Sequence, residues 1–374
     1  GLLVKSPVIM KENLEAMKEA GIDLPVLLGG AALTRNFVEA DCRNAYVQSR
    51  VAYARDAFDG LELMARVSAN SFDDYVKAGI SHRPPKAPAA PKPETPPVQP
   101  KDLAGRRAAL AAEATPPKPP FLGAKLIERV EPKALLPYLN KTMLYQFHWG
   151  FKKAGRTLAQ WKAEVEAEAG PTLDRLLKIC ADEKILFPKA AYGYFRARSE
   201  GDSIVLFDDQ SPELARFDLP RQNQENGQCV ADFVREDGSD ILALQVVTIG
   251  QTLTDVGHEW FETDRYRDYH ALHGLGVEMA EAMAEYVHKR IREELGFAQE
   301  DARDIDEMIK QNYRGSRYSF GYPACPNLSD QRQLLKLLGA ERIGVALTDE
   351  DQLTPEQSTS AIVLHHPKAK YFRV

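Results

Sequence analysis

The stretch YRGSRYSFGYPACP, residues 313–326, sets Arg317 four residues before Gly321 and five before Tyr322, then follows them with Pro323 and Pro326. A guanidinium holds a carboxylate through two parallel hydrogen bonds. A glycine lets the backbone press against a flat or bulky ligand, and a neighbouring tyrosine offers a ring face and a hydroxyl. The prolines fix the chain that follows. Together these residues suit a zwitterionic, partly aromatic small molecule. A ligand with a positive end also needs a carboxylate, and Glu281, on a helix shortly before the loop, is the candidate. The same residues also fit a rigid surface loop whose arginine caps a helix end, and spacing alone leaves both readings open. Helix-breakers are too many here for a helix, and alternating apolar residues too few for a core strand.

Other reactive residue types give weaker patterns. HEWFE at His258 approaches a zinc-protease helix, but Glu262 stands where the second histidine is required. His270 and His273 could share a metal, yet no second ligand cluster accompanies them, so they read as structural. His365 and His366 read as a strand-end pair. There is no GxSxG, P-loop or GxGxxG, and no nucleophile with its base, so no catalytic residue is assigned. Cys42, Cys180, Cys229 and Cys325 form no CxxC, which argues against a zinc site or disulfide framework and for a reducing, cytoplasmic compartment. The net charge of −6 argues against a nucleic-acid surface. No apolar window approaches the roughly 18 residues that span a bilayer.

The elements that must position these residues fall into three segments. Residues 1–75 alternate helix and strand: ENLEAMKEAGI is amphipathic, LPVLLGG is a short buried strand, RVAYARDAF a second strand and GLELMARVSA a helix. That order predicts a parallel sheet, and glycines at a strand end admit a close approach by backbone or ligand. Residues 76–120 are rich in proline and alanine, too poor in apolar surface to fold alone, and read as a linker, with LAGRRAALAAEA as a short helix inside it. Residues 121–374 mix helices and hairpins. AYGYFRARSEGDSIVLF is a hairpin signal; ARFDLPRQ, CVADFVR, LALQVVTIG, RIGVALT, TSAIVLHH and KYFRV read as strands. YHALHGLGVEMAEAMAEYVHKRIREELG is a long helix, with Leu272, Leu275, Met279, Met283, Tyr286 and Ile291 as its buried stripe and Glu278, Glu281 and Glu285 on the other side. Strands clustered apart from a long helix predict an α+β domain.

The run Arg317-x-x-x-Gly321-Tyr322-Pro323-Ala324-Cys325-Pro326 resembles the signature loop of the activation domain of the cobalamin-dependent methionine synthase family. The resemblance covers residues 121–374, including GVEMAEAMAEYVHKRIR and HPKAKYFRV. Residues 1–75 resemble the second half of the same family's cobalamin-binding domain, through LPVLLGGAALT and VAYARDAFDG. The implied fold is an α+β activation domain, an antiparallel sheet with long helices, preceded by a partial α/β Rossmann-like cobalamin-binding domain. The implied activity is that of a methyltransferase moving a methyl group from methyltetrahydrofolate to cobalamin and on to homocysteine. The activation domain would bind S-adenosylmethionine and remethylate inactive cob(II)alamin, with an electron from a flavodoxin-type partner.

By the same resemblance Arg317 holds the methionine carboxylate, Gly321 and Tyr322 line the ligand, and Glu281 faces its charged groups. Asn140 and Gln311 stand where acids are common, keeping hydrogen-bonding capacity without the charge. Gly29, Gly30, Asp56 and Ala57 match positions around the cofactor's nucleotide tail. The family's cobalt-ligating Asp-x-His-x-x-Gly segment is absent, and zinc is expected only in a further upstream module. The chain is therefore expected to be part of a longer enzyme, with those upstream modules as partners. A freestanding S-adenosylmethionine-binding module that reactivates a separate corrinoid protein is the alternative, and native chain length separates the two.

Overall fold

A computed structural model describes residues 6–29, 33–47, 50–54, 57–81, 102–153, 155–372 and 374. The chain divides into two compact units, one of residues 1–99 with Gly321–Pro326, the other of Pro100–Phe320 with Asn327–Val374.

In the N-terminal unit, helix α1 (Ser6–Glu19) precedes strand β1 (Val26–Gly29), and a helical crossover at 37–45 leads to strand β2 (Val51–Ala54). The two strands pair in parallel, Val26 opposite Val51 and Gly29 opposite Ala54, as the alternation of helix and strand predicts. Leu14, Val38, Cys42, Tyr46 and Val51 form one small core; Ala52, Leu63, Phe72 and Val76 form another under helices α2 (Ala57–Ser68) and α3 (Phe72–Ser81).

The C-terminal unit opens with helix α4 (Leu103–Glu113), the helix expected inside the proline-rich stretch, and its Arg107 is buried. A seven-stranded sheet follows, built from β3 (Gly123–Ile127), β4 (Lys189–Glu200), β5 (Ser203–Phe207), β6 (Ala215–Asp218), β7 (Asp240–Thr248), β8 (Ser316–Ser319) and β11 (Ser358–Leu364). Its order is β6-β5-β4-β7-β11-β8, with β3 also on β4, and every pairing is antiparallel. The β4–β5 hairpin forms as its sequence predicts, turning on Gly201 and Asp202. Strands β9 (Ala346–Leu347) and β10 (Leu353–Thr354) make a separate small hairpin.

Strand β7 is buried along its whole length because both faces are covered. Ile241, Ala243 and Val247 join the main core with helices α5 (Leu158–Asp182), α6 (Gln251–Glu262) and α7 (Tyr266–Glu294), through Trp161, Leu173, Leu253, Leu275, Met279 and Met283. Helix α8 (Gln331–Leu338) packs on β7, β4 and β3. Helix α5 starts in a capping box, where the Thr157 hydroxyl accepts from the Gln160 N–H, satisfying a donor the helix itself cannot. This unit is α+β, as expected. Among the described residues no helix is long and apolar enough to cross a membrane.

Four local expectations are corrected. YRGSRYSF does hold a strand, β8, at the sheet edge. It buries only Ser316 and Tyr318, so no apolar alternation marks it. CVADFVR folds as a 3₁₀ turn at Val230–Phe233, because the buried Asp232 carboxylate accepts the Cys229 N–H at 3.0 Å. Within RIGVALT only Ala346–Leu347 is extended, after a 3₁₀ turn at Ala340–Ile343. The described part of KYFRV adds no strand and is held by side-chain contacts instead. Helix α7 is also buried over more of its circumference than its apolar stripe: Glu278 is 4% exposed and Glu285 9%.

Candidate functional site

Strand β8 is bracketed by glycines at φ +84° and +86°, Gly315 and Gly321, in the left-handed region where only glycine is unstrained. A Cβ on Gly315 would also lie 2.2 Å from the Leu364 carbonyl. The register sets Arg317 opposite Val363 on β11. Ser316 and Tyr318 point into the core, so Arg317 takes the other face, its side chain 19% exposed.

There Arg317 Nη2 lies 3.4 Å from Glu285 Oε2 and 3.8 Å from Glu281 Oε2. Glu285 is shared. Its Oε1 accepts from Arg292 Nη2 at 3.2 Å and its Oε2 from the Tyr313 hydroxyl at 3.5 Å. Arg292 is fixed in turn by two bonds to Asp301, at 2.7 and 2.8 Å, and lies over the Tyr313 ring. Burial pushes the Tyr313 phenol above its ordinary pKa, and the Glu285 carboxylate adds to the shift, so Tyr313 stays a donor. His288 meets the Tyr313 ring edge-on, and burial followed by the Arg292 charge keeps it neutral. Burial opposes the charge on Arg317, but Glu285 and Glu281 outweigh it and raise its pKa.

Glu281 differs from Glu285. Its side chain keeps 46% of its surface, against 11% for Glu285, and it is the more distant partner of Arg317. Glu285 is therefore a fixed strut, and Glu281 is the carboxylate placed to change partners.

The structure thus brings Arg317 and Glu281 together. Gln311, at φ 62°, accepts the Tyr371 N–H on its side-chain oxygen at 3.3 Å, and its carbonyl accepts from Lys370 Nζ at 2.7 Å. It ties down the C-terminal segment. Asn140 caps a short helical turn, its side-chain oxygen accepting the Met143 N–H at 3.1 Å. It lies in a segment docked on α7 through Tyr138 on Tyr286 and His148 on Glu278. Gly321 and Tyr322 follow β8 in a tight turn: the Gly321 N–H donates to the Cys325 carbonyl and the Cys325 N–H to the Tyr322 carbonyl, both at 2.9 Å. Tyr322 is 47% exposed. This turn groups with the N-terminal unit.

Sequence reasoning missed Glu285, Tyr313, Arg292 and Asp301 as the frame behind Arg317. The available signal was Glu285 one helical turn beyond Glu281. Tyr371 was missed too; it stacks on Tyr318, the neighbour of Arg317.

Of the positions assigned to cobalamin, Gly29 ends β1, and a Cβ there would lie 2.8 Å from the Ala54 carbonyl. The neighbouring strand accounts for that glycine. Ala57 opens α2, and Gly30 and Asp56 lie outside the described residues. His270 and His273 do not act as a pair. His273 lies 3.1 Å from Glu356, which raises its pKa, whereas burial lowers that of His270. Among the described residues no group of three potential ligands could hold a metal. His365 and His366 do sit at the end of β11, bonded to Asp240 and to the Leu110 carbonyl.

Three comparisons bear on this arrangement. Residues 133–374 match the family described as vitamin B12 dependent methionine synthase, activation domain. The methionine synthase of Mycobacterium tuberculosis is 41% identical over 410 residues and that of Mycobacterium leprae 39% over 413, in each case across 100% of this chain and 34% of the relative. The chain thus spans about a third of the length of these relatives. The crystal structure of the MetH reactivation domain bound to AdoHcy superposes with a TM-score of 0.64 at 26% identity, over 75% of this chain and 90% of that one.

Proposed function

The chain belongs to the family of vitamin B12-dependent methionine synthase activation domains, and from that premise we propose that it binds S-adenosylmethionine at Arg317 and Glu281 for the reductive remethylation of cob(II)alamin within a longer methyltransferase. The observation that carries this reading is the cluster on β8 and α7: a guanidinium held by one fixed and one exchangeable carboxylate.

The ligand carries a carboxylate at one end and ammonium and sulfonium charges near it. When the ligand carboxylate takes Arg317 as a bidentate partner, Glu281 is released to the ligand's positive groups. One internal ion pair becomes two pairs across the interface, while Glu285 keeps Arg317 in place. The reactive methyl group belongs to the ligand, so the protein's part is positioning. Likeness to the AdoHcy-bound domain supports the ligand class. A flavodoxin-type electron donor, a cytoplasmic location and upstream modules carrying zinc follow from the same reading.

Cobalamin belongs to this proposal only through the family. No step is derived through the cofactor.

Calorimetric titration of the chain with S-adenosylmethionine tests the reading. Arg317→Ala should weaken binding roughly ten-fold or more, since hydrogen bonds to charged groups contribute about 1.5–3 kcal/mol. Arg317→Lys should restore only part, because an ammonium lacks the planar fork. Glu281→Gln should cost less, being half exposed and screened. A folded Arg317→Ala variant that binds like wild type would return β8 to a purely structural role.

A further inference from the structure

Residues 366–371 form no ladder; Ala369 in the middle is fully buried, and side-chain contacts fasten the segment toward its two ends. At one end stands α4. Asp102 caps it, accepting the Gly105 N–H at 2.8 Å. The buried Arg107 reaches Asp232 at 3.0 Å, Glu236 at 2.8 Å and the Gly201 carbonyl. Arg221 clasps the same Asp232 at 2.6 and 2.7 Å. Arg235 donates to the Ala111 and Ala114 carbonyls, closing the C-terminal end of the helix. The strap fastens here: His366 Nε2 donates to the Leu110 carbonyl at 3.0 Å, and Lys368 pairs with Glu113.

At the other end the same segment grips the candidate site. Lys370 Nζ donates to the carbonyls of Gln311 and Tyr313 at 2.7 and 2.6 Å. The Tyr371 N–H donates to the Gln311 side chain, and the Tyr318 hydroxyl donates to the Lys370 carbonyl at 2.9 Å. Tyr313 contacts Glu285, the strut of Arg317, and Tyr318 is the next residue on β8.

We infer that α4 is an anchor whose docking sets the geometry of the Arg317 site through the strap 366–371. The inference rests on the S-adenosylmethionine reading for the identity of its ligand. The clamp is ionic and buried: with Arg107 withdrawn, the Asp232 carboxylate keeps Arg221 but loses one of its charged partners in a dry setting, which disfavours release of the helix. A docked helix fixes His366 and Lys368, four and two residues from Lys370; a released helix frees that end. Helix docking and ligand binding then favour each other by the same factor, as linkage requires.

Amide hydrogen exchange and calorimetry on the whole chain test this. In wild type, saturating S-adenosylmethionine should slow exchange in 103–113 as well as in 366–371. Arg107→Ala should weaken S-adenosylmethionine binding by about five-fold or more, the lower end of typical coupling. Asp102→Ala removes the cap at an exposed position and leaves the clamp intact. It should quicken exchange in 103–113 and, by a similar factor, at Lys368, Ala369 and Tyr371, with no ligand present. Faster exchange confined to 103–113 would overturn the strap. So would an Arg107→Ala chain with a released helix and wild-type affinity. If the wild-type chain binds no S-adenosylmethionine, the functional reading fails, and the ligand-free Asp102→Ala exchange pattern still decides the strap.

Discussion

At the scale of single residues, Arg317, Gly321 and Tyr322 can be picked out from their types and spacing, because each brings a distinct chemistry within six positions. Glu285 cannot. It is 32 residues from Arg317, and only the packing of α7 beside β8 makes it the nearer carboxylate. A residue no motif marks also yields a prediction. Asp330, 7% exposed at the start of α8, has its carboxyl pushed up to about 6 from an ordinary 3.8, chiefly by burial, with Asp218 adding to it against a bond from Asn327. The folded state therefore holds this proton more tightly than the unfolded chain. The cost of the buried charge is absent below about pH 4, grows between pH 4 and 6, and is complete above that, at roughly 2–3 kcal/mol. Asp330→Asn should be more stable than wild type at pH 7 by an amount of that order, and equal to it near pH 4. Urea midpoints at the two pH values check this; a pH-independent difference would mean the side chain titrates normally.

At the scale of elements, α7 and the β4–β5 hairpin follow from periodicity and turn chemistry, signals carried within a short window. β8 does not, because an edge strand needs only one apolar face, and here that face is a serine and a tyrosine. The CVADFVR run misleads for a related reason: its apolar residues are buried by a turn organised around Asp232, whose partners Arg107 and Arg221 lie outside the window. Helix α7 also depends on a glycine that no pattern explains. A Cβ on Gly274 would meet His148 Cβ at 2.8 Å and Trp149 Nε1 at 3.2 Å. Gly274→Ala should therefore displace the segment that carries His148 away from Glu278 and Trp149 away from the Ala271 carbonyl. Overpacking of this kind costs about 1–3 kcal/mol, offset by up to ~1 kcal/mol of helix propensity. Chemical denaturation should show a lower midpoint; an increase would mean that the segment yields without strain.

At the scale of the whole molecule, composition marks the proline-rich stretch but not where the C-terminal unit takes hold. A boundary at residue 120 follows from composition, whereas α4 is clamped to the unit that begins at Pro100. Limited proteolysis should leave one stable fragment that starts before Leu103 and runs to the C-terminus. A stable product beginning near residue 121, with 103–113 digested away, would contradict the clamp. The strand order carries a further consequence, for synthesis. Among the described residues β8 pairs only with β11, and β11 separates it from β7. A chain emerging from the ribosome can pair β3 through β7 as they appear, but Arg317 has no partner strand until residues 358–364 have followed. The Arg317 cluster is therefore completed only after residues 358–364 have been translated, and a chain that stops before them presents an open sheet edge.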